Sequence, residues 1–233
     1  MGNRALKTIG RRLRRPLNER AAKKRLAEFH SEKRSVAEVA SRAIKFGGNG
    51  FFKVQTQQKL SEITSLAEAV AAISPKTILE IGTWHGGTLL IWSALASEMV
   101  VTCDLEDKTI QADFFRAMPP PGSACKVEVL QGDSHRPKFK EKVVGALGGH
   151  QVDFLFIDGD HSTEGARADF EEYSPLVRPG GLVAFHDIVE LQPLETNQVF
   201  ALWQELKGLY EAQEFIDEAG QCGYGIGLLR MPD

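Results

Sequence analysis

A chain of 233 residues, 42% hydrophobic, 8% aromatic and 25% charged, can bury one sizeable core, which fits a single α/β domain with an appendage and excludes several domains. No run of about 18 apolar residues occurs, which removes a membrane-spanning helix; Cys103, Cys125 and Cys222 lack CxxC spacing, which removes a disulfide framework and a zinc cluster and makes a reducing, cytoplasmic compartment the expectation. The formal net charge of −3 hides an asymmetry, because residues 1–34 carry twelve Lys/Arg against Glu19, Glu28 and Glu32 and leave −12 on the rest of the chain.

Residues 1–54 read as a basic helical extension and 55–233 as the main domain. In the arm, Leu6, Ile9, Leu13 and Leu17 fall at helical spacing, with Arg4, Lys7, Arg11, Arg12, Arg14 and Arg15 on the other faces. That pattern suits a solvated or oligomer-covering helix, or contact with an anionic membrane surface or an acidic partner; no nucleic acid is expected as a partner. The arm lacks the apolar stretch of a secretory signal, and Leu6 stands where a myristoylation site wants Ser or Thr.

A helix is predicted over Ser35 to Phe46, broken by Gly47-Gly48-Asn49-Gly50. A second, over Gln57 to Ile73, presents Leu60, Ile63, Ala67, Val70 and Ile73 on one side and stops before Ser74-Pro75. From Thr77, strands predicted at 77–82, 100–104, 126–131, 152–158 and 181–186 alternate with helices at 87–98, 108–117, 136–147, 163–176 and 196–208. That alternation is the pattern of a doubly wound, Rossmann-like parallel sheet of about seven strands, whose last two, 212–216 and 224–230, form an antiparallel hairpin at its edge.

Ile78-Leu79-Glu80-Ile81-Gly82-Thr83-Trp84-His85-Gly86-Gly87-Thr88 is a strand entering a glycine turn and then a helix, where ligands collect. Gly82 and Gly86 would let a ligand approach the backbone. The spacing is not GxGxxG, and Glu80 at the first-glycine position would repel a pyrophosphate, which disfavours a nicotinamide-dependent oxidoreductase; a carboxylate there suits a cofactor bearing an ammonium group. Asp104 closes the second strand, where an acid can accept from ribose hydroxyls. Asp133, in Gln131-Gly132-Asp133-Ser134, lies at the same sheet end and could receive an adenine amino group.

These residues resemble class I S-adenosylmethionine-dependent methyltransferases over about 55–230. The likeness is nearest the cephalosporin hydroxylase-like and macrocin-type O-methyltransferase branch, through Glu80-Ile81-Gly82-Thr83, Gly86-Gly87-Thr88, Phe156-Ile157-Asp158-Gly159-Asp160-His161, Pro179-Gly180-Gly181 and Phe185-His186-Asp187. The resemblance implies S-adenosylmethionine as cofactor and a small-molecule acceptor, a sugar or a natural-product-like compound methylated on a hydroxyl. It implies that Glu80, Gly82, Thr83, Gly86 and Gly87 serve the methionine end with Asp158 beside them, that Asp104 holds the ribose, and that Asp133 and Ser134 flank the adenine.

Two chemistries stay open at the reaction end. Asp158 and Asp187 could hold Mg²⁺ so that a bound hydroxyl ionises, with His186, a poorer Mg²⁺ ligand, in the third position. Alternatively His186 or His161 acts as general base, its ring oriented by Asp158, Asp160 or Asp187. Asp160 and Ser162 could also simply cap the next helix, and Asp169 and Tyr173 on that helix read as structural. Gln55 and Gln57 are candidates for lining the acceptor pocket. A nonenzymatic S-adenosylmethionine-binding scaffold recruited by its basic arm, and a homo-oligomer joined through the extension, complete the expectations.

Overall fold

Thr77–Ile81 is buried at every residue because it lies in the middle of the sheet, where both faces are covered. The computed structural model describes residues 14–233, so Leu6, Ile9 and Leu13 of the predicted arm helix lie outside the described residues. The strands are β1 (Thr77–Ile81), β2 (Met99–Asp104), β3 (Lys126–Gln131), β4 (Val152–Ile157), β5 (Val177–His186), β6 (Glu211–Phe215) and β7 (Ile226–Arg230). Their order is β3-β2-β1-β4-β5-β7-β6, parallel through β5, with β7 antiparallel to both its neighbours. The predicted terminal hairpin exists, but its second strand is inserted beside β5 and only β6 forms the edge. β5 begins at Val177, four residues before the prediction, through an irregular register around Pro179-Gly180-Gly181.

The helices are α1 (Arg15–Phe29), α2 (Val36–Ile44), α3 (Leu60–Ala72), α4 (Gly87–Leu95), α5 (Ala112–Arg116), α6 (Pro137–Leu147), α7 (Thr163–Tyr173) and α8 (Val199–Leu206). Ser35 starts α2 with a capping box: its hydroxyl accepts from the Glu38 N–H, and the Glu38 carboxylate accepts from the Ser35 N–H at 2.9 Å. α1 to α5 cover one face of the sheet and α6 to α8 the other, giving two apolar layers. Residue alternation sorts β1 between them: Ile78 packs with Trp92 of α4, whereas Leu79 and Ile81 pack toward α7.

Ala22, Leu26 and Phe29 of α1 are buried in the same layer as Phe46, Phe114 and Trp92, while Leu17 is 70% exposed. The buried stripe of the described arm is therefore one half-turn away from the stripe to which the spacing assigns Leu17. No described helix is long and apolar enough to cross a membrane.

Candidate functional site

The carboxyl ends of β1 to β5 open onto one cavity of about 840 Å³, at the point where the strand order reverses between β1 and β4. Backbone bonds splice these ends together: the Gly82 N–H donates to the Cys103 carbonyl at 2.9 Å, the Gly132 N–H to Asp104 at 3.0 Å and the Asp158 N–H to Ile81 at 2.8 Å. Gly82, Thr83, Asp104, Asp133, Ser134, Asp158, His161, His186 and Asp187 all line the cavity. Of the predicted site residues, Glu80, Gly86 and Gly87 do not line it.

Glu80 sits on the Ile78 face of β1 and is fully buried behind the cavity. Its carboxylate accepts from the Trp92 indole N–H at 2.9 Å and the Thr102 hydroxyl at 2.7 Å. Burial pushes its pKa up to about 7 against those donors and Thr88. Glu80 thus ties β1, β2 and α4 together and does not itself line the cavity. A Cβ on Gly82, at φ +100°, would stand 2.1 Å from the Asp158 carbonyl oxygen; one on Gly86 would meet the Phe115 ring at 2.9 Å, and one on Gly87 the Gln55 backbone at 2.6 Å. All three glycines permit close packing within the protein, and Gly82 also lines the cavity. The Gly87 N–H, at the start of α4, is itself taken by the Gln55 carbonyl at 3.1 Å.

At the β2 and β3 ends, Asp104 Oδ1 accepts from the Glu106 N–H at 2.8 Å, and Oδ2 accepts from the Trp84 N–H at 2.7 Å with the buried Lys108 ammonium 3.2 Å away. A carboxylate has about four acceptor positions; two are taken by backbone N–H groups, and Lys108 donates to Glu106 at 2.9 Å, which leaves acceptor positions on Asp104 for ligand hydroxyls. Asp133 takes the His135 N–H and the Arg136 guanidinium, each at 3.0 Å, which hold its pKa down. The Tyr173 hydroxyl donates to the Ser134 carbonyl at 2.8 Å, fixing this loop from α7. Beneath it Asp169 is fully buried, 3.3 Å from His135 Nε2, and burial raises its pKa to about 6.

The reaction end is a chain of side chains. His186 Nδ1 lies 3.1 Å from Asp158 Oδ1 and 3.4 Å from Asp187 Oδ1, and His161 Nδ1 lies 3.1 Å from Asp187 Oδ2. Gln58 donates to Asp158 Oδ2 at 2.7 Å, Asn197 to Asp187 Oδ2 at 2.5 Å and the Tyr224 N–H to Asp187 Oδ1 at 3.2 Å. Burial opposes a charge on His186, but Asp158 and Asp187 outweigh it and raise its pKa to about 10. Burial works the other way on Asp187, yet His161 and His186 hold it well below the usual carboxylate range. The Asp187 hydrogen bond raises the pKa of His161, whose side chain stays 41% exposed. Trp84, Asp187 and Tyr224, all lining the cavity, hold left-handed backbone at φ 42°, 64° and 66°.

This geometry divides the two histidines. His186, 4% exposed, has Nδ1 between two carboxylates, which favour its protonated form, while its Nε2 is buried without a hydrogen-bond partner. His161 spends Nδ1 on Asp187, which leaves Nε2 for the cavity. Ser162 does cap α7, accepting from the Gly165 N–H at 3.0 Å, and Asp160 takes the Ser162 N–H at 2.9 Å. The metal expectation fits poorly. Among the described residues no three His, Cys, Asp or Glu side chains are grouped to hold a metal ion, and the oxygens of Asp158 and Asp187 face imidazole and amide donors. Gln55 and Gln57 line the cavity. Gln58, Lys108, Asn197 and Tyr224 went unmarked in the sequence; an amide or a tyrosine in a loop carries no spacing signal.

The family model described as a methyltransferase domain matches residues 79–188, which run from within β1 to just past β5 and include Asp104, Asp133, Ser134, Asp158, His161, His186 and Asp187 but not Gln58, Asn197 or Tyr224. Over that stretch, a little under half of its length, the chain is similar to a methyltransferase domain. Its sheet order and the solved structures it resembles show the class I methyltransferase fold. MycE, the methyltransferase from the mycinamycin biosynthetic pathway, solved with Mg and S-adenosylhomocysteine, is 18% identical with a TM-score of 0.57, covering 87% of this chain and 55% of that one. The O-methyltransferase TomG from Streptomyces achromogenes, involved in tomaymycin synthesis and solved with S-adenosylmethionine, is 18% identical with a TM-score of 0.57, covering 89% and 94%. An O-methyltransferase from Bacillus cereus, solved with S-adenosylhomocysteine, is 18% identical with a TM-score of 0.54, covering 88% and 94%. A curated relative, the uncharacterized protein y4gI of Sinorhizobium fredii (strain NBRC 101917 / NGR234), is 25% identical over 169 residues. That alignment spans 69% of this chain and 18% of the relative's length.

Proposed function

We propose that this methyltransferase domain binds S-adenosylmethionine and transfers its methyl group to a hydroxyl oxygen of a small molecule. The observation that carries the reading is the layout of one cavity: Asp104, Asp133 and Ser134 at the β2 and β3 ends, and the His161–Asp187 pair at the β4 and β5 ends. When bound there, the cofactor supplies an electrophilic sulfonium methyl, and sulfur leaves as a neutral thioether while the new carbon–oxygen bond forms. The chain has to orient the acceptor oxygen in line and remove its proton. His161 Nε2 accepts that proton in our reading, and Asp187 steadies the resulting imidazolium through Nδ1. Gln55, Gln57, Leu194 and Tyr224 line the cavity and would shape the acceptor's place. The likeness to TomG and the Bacillus cereus protein, both O-methyltransferases, supports an oxygen acceptor, and the likeness to MycE of the mycinamycin biosynthetic pathway supports a natural-product or sugar-like one.

Isothermal titration of S-adenosylmethionine and S-adenosylhomocysteine into the full chain tests this reading. Both should bind, and Asp104→Ala should weaken them about tenfold or more, the loss of a hydrogen bond to a charged group. A folded wild-type chain that binds neither overturns the proposal.

A further inference from the structure

We propose that the His186 side chain permanently bridges Asp158 and Asp187 in the place a divalent cation would take, so that the site works without metal. Three observations carry this. The imidazole Nδ1 sits between Oδ1 of both carboxylates, at 3.1 and 3.4 Å, and the ring is 4% exposed, so the space between the two acids is filled by protein. The outer oxygens are engaged as well: Gln58 holds Asp158 Oδ2, and His161 and Asn197 hold Asp187 Oδ2. The backbone seals the arrangement, because Asp187 and Tyr224, both left-handed, join through the Tyr224 N–H and Asp187 Oδ1 at 3.2 Å.

A Mg²⁺ ion needs oxygen ligands in near-octahedral array about 2.0–2.1 Å away. Here the third ligand position is a nitrogen, and it already faces both acids at 3.1 and 3.4 Å. The His186 ring fills the space between the two facing carboxylates and presents Nδ1 to both. Since His186 comes from β5 and Asp158 from the end of β4, the bridge also locks those two strand ends at the spacing the cavity requires.

The inference rests on the methyltransferase reading for its role, but its test is separable from it. Mn²⁺ is titrated into the full wild-type chain, with and without S-adenosylhomocysteine, and free Mn²⁺ is followed by electron paramagnetic resonance. The wild type should leave the free signal unchanged. The variant His186→Glu, which restores three carboxylates, should bind Mn²⁺ about tenfold or more tightly than the wild type, and adding Asp158→Asn should abolish the gain. Uptake of a single Mn²⁺ per wild-type chain, lost in Asp158→Asn, overturns the proposal. So does a His186→Glu chain that is folded by circular dichroism and takes up none. If His186→Glu does not fold, the wild-type titration decides alone. Calorimetry of S-adenosylhomocysteine on the same wild-type sample reports separately on the cofactor reading.

Discussion

His161 and His186 carry the same ring and meet opposite surroundings. His186 touches two carboxylates and is 4% exposed; His161 touches one at the cavity wall and keeps Nε2 free. His161→Gln should therefore lower kcat about 10²–10⁴-fold, the usual range for a lost general base, while leaving the S-adenosylhomocysteine Kd unchanged. The sign of the pH dependence follows from the same contact. A base works when unprotonated, and Asp187 raises the His161 pKa above its ordinary value. Activity should rise with pH through a limb lying above about 6.5, and that limb should vanish in His161→Gln. Both histidines stand out in the sequence as candidates, yet nothing in Asp158-Gly159-Asp160-His161 or His186-Asp187 says which ring is wedged between acids. That depends on β4 and β5 lying side by side in register.

The glycine turn between β1 and α4 shows what an element can demand of a residue. Gly82→Ala should destabilise the chain by about 3 kcal/mol, because a backbone carbonyl of the adjacent strand end stands where the methyl would go and cannot swing away. Gly145→Ala, inside α6 with nothing within 4 Å of the new Cβ, should instead stabilise by about 0.5–1 kcal/mol. Urea unfolding of the two variants against wild type checks both signs. The strand, the turn and the helix were legible from hydrophobic runs and glycine spacing. The role of the glycines was not: a positive φ or a forbidden Cβ reads alike in sequence whether the neighbour is a ligand or another strand. Glu80 shows the same limit, since period-two alternation places it on one face of β1 but does not say that Trp92 and Thr102 wait there.

At the scale of the whole molecule, the buried ionisable groups fix how stability depends on pH. His186 has a folded pKa of about 10, above its ordinary value of about 6.5, so its contribution is complete below about pH 6.5 and is lost as pH rises through about 10. Glu80, raised to about 7, loses its contribution as pH climbs from its ordinary range through 7. Asp187, lowered, stabilises above its ordinary value and loses that stabilisation as the medium turns more acidic. These groups together place the stability maximum on the acid side of neutrality. Melting temperature against pH should fall for the wild type between about pH 6.5 and 10, and His186→Gln should flatten that fall.

The alternation of apolar runs, the order of the elements, the acids at successive strand ends and the charge imbalance of the arm are all written in the sequence. Each depends on near neighbours along the chain: a period of two or 3.6, a turn residue, a count of charges. Which stripe of α1 is buried, which acid faces the cavity, which imidazole is locked between carboxylates and whether a cation has room there were decided only by tertiary structure. Those outcomes depend on distances between residues as far apart as Gln58 and Asp158, or Asp187 and Tyr224, and such distances exist only once the strand order β3-β2-β1-β4-β5-β7-β6 has brought the strand ends together.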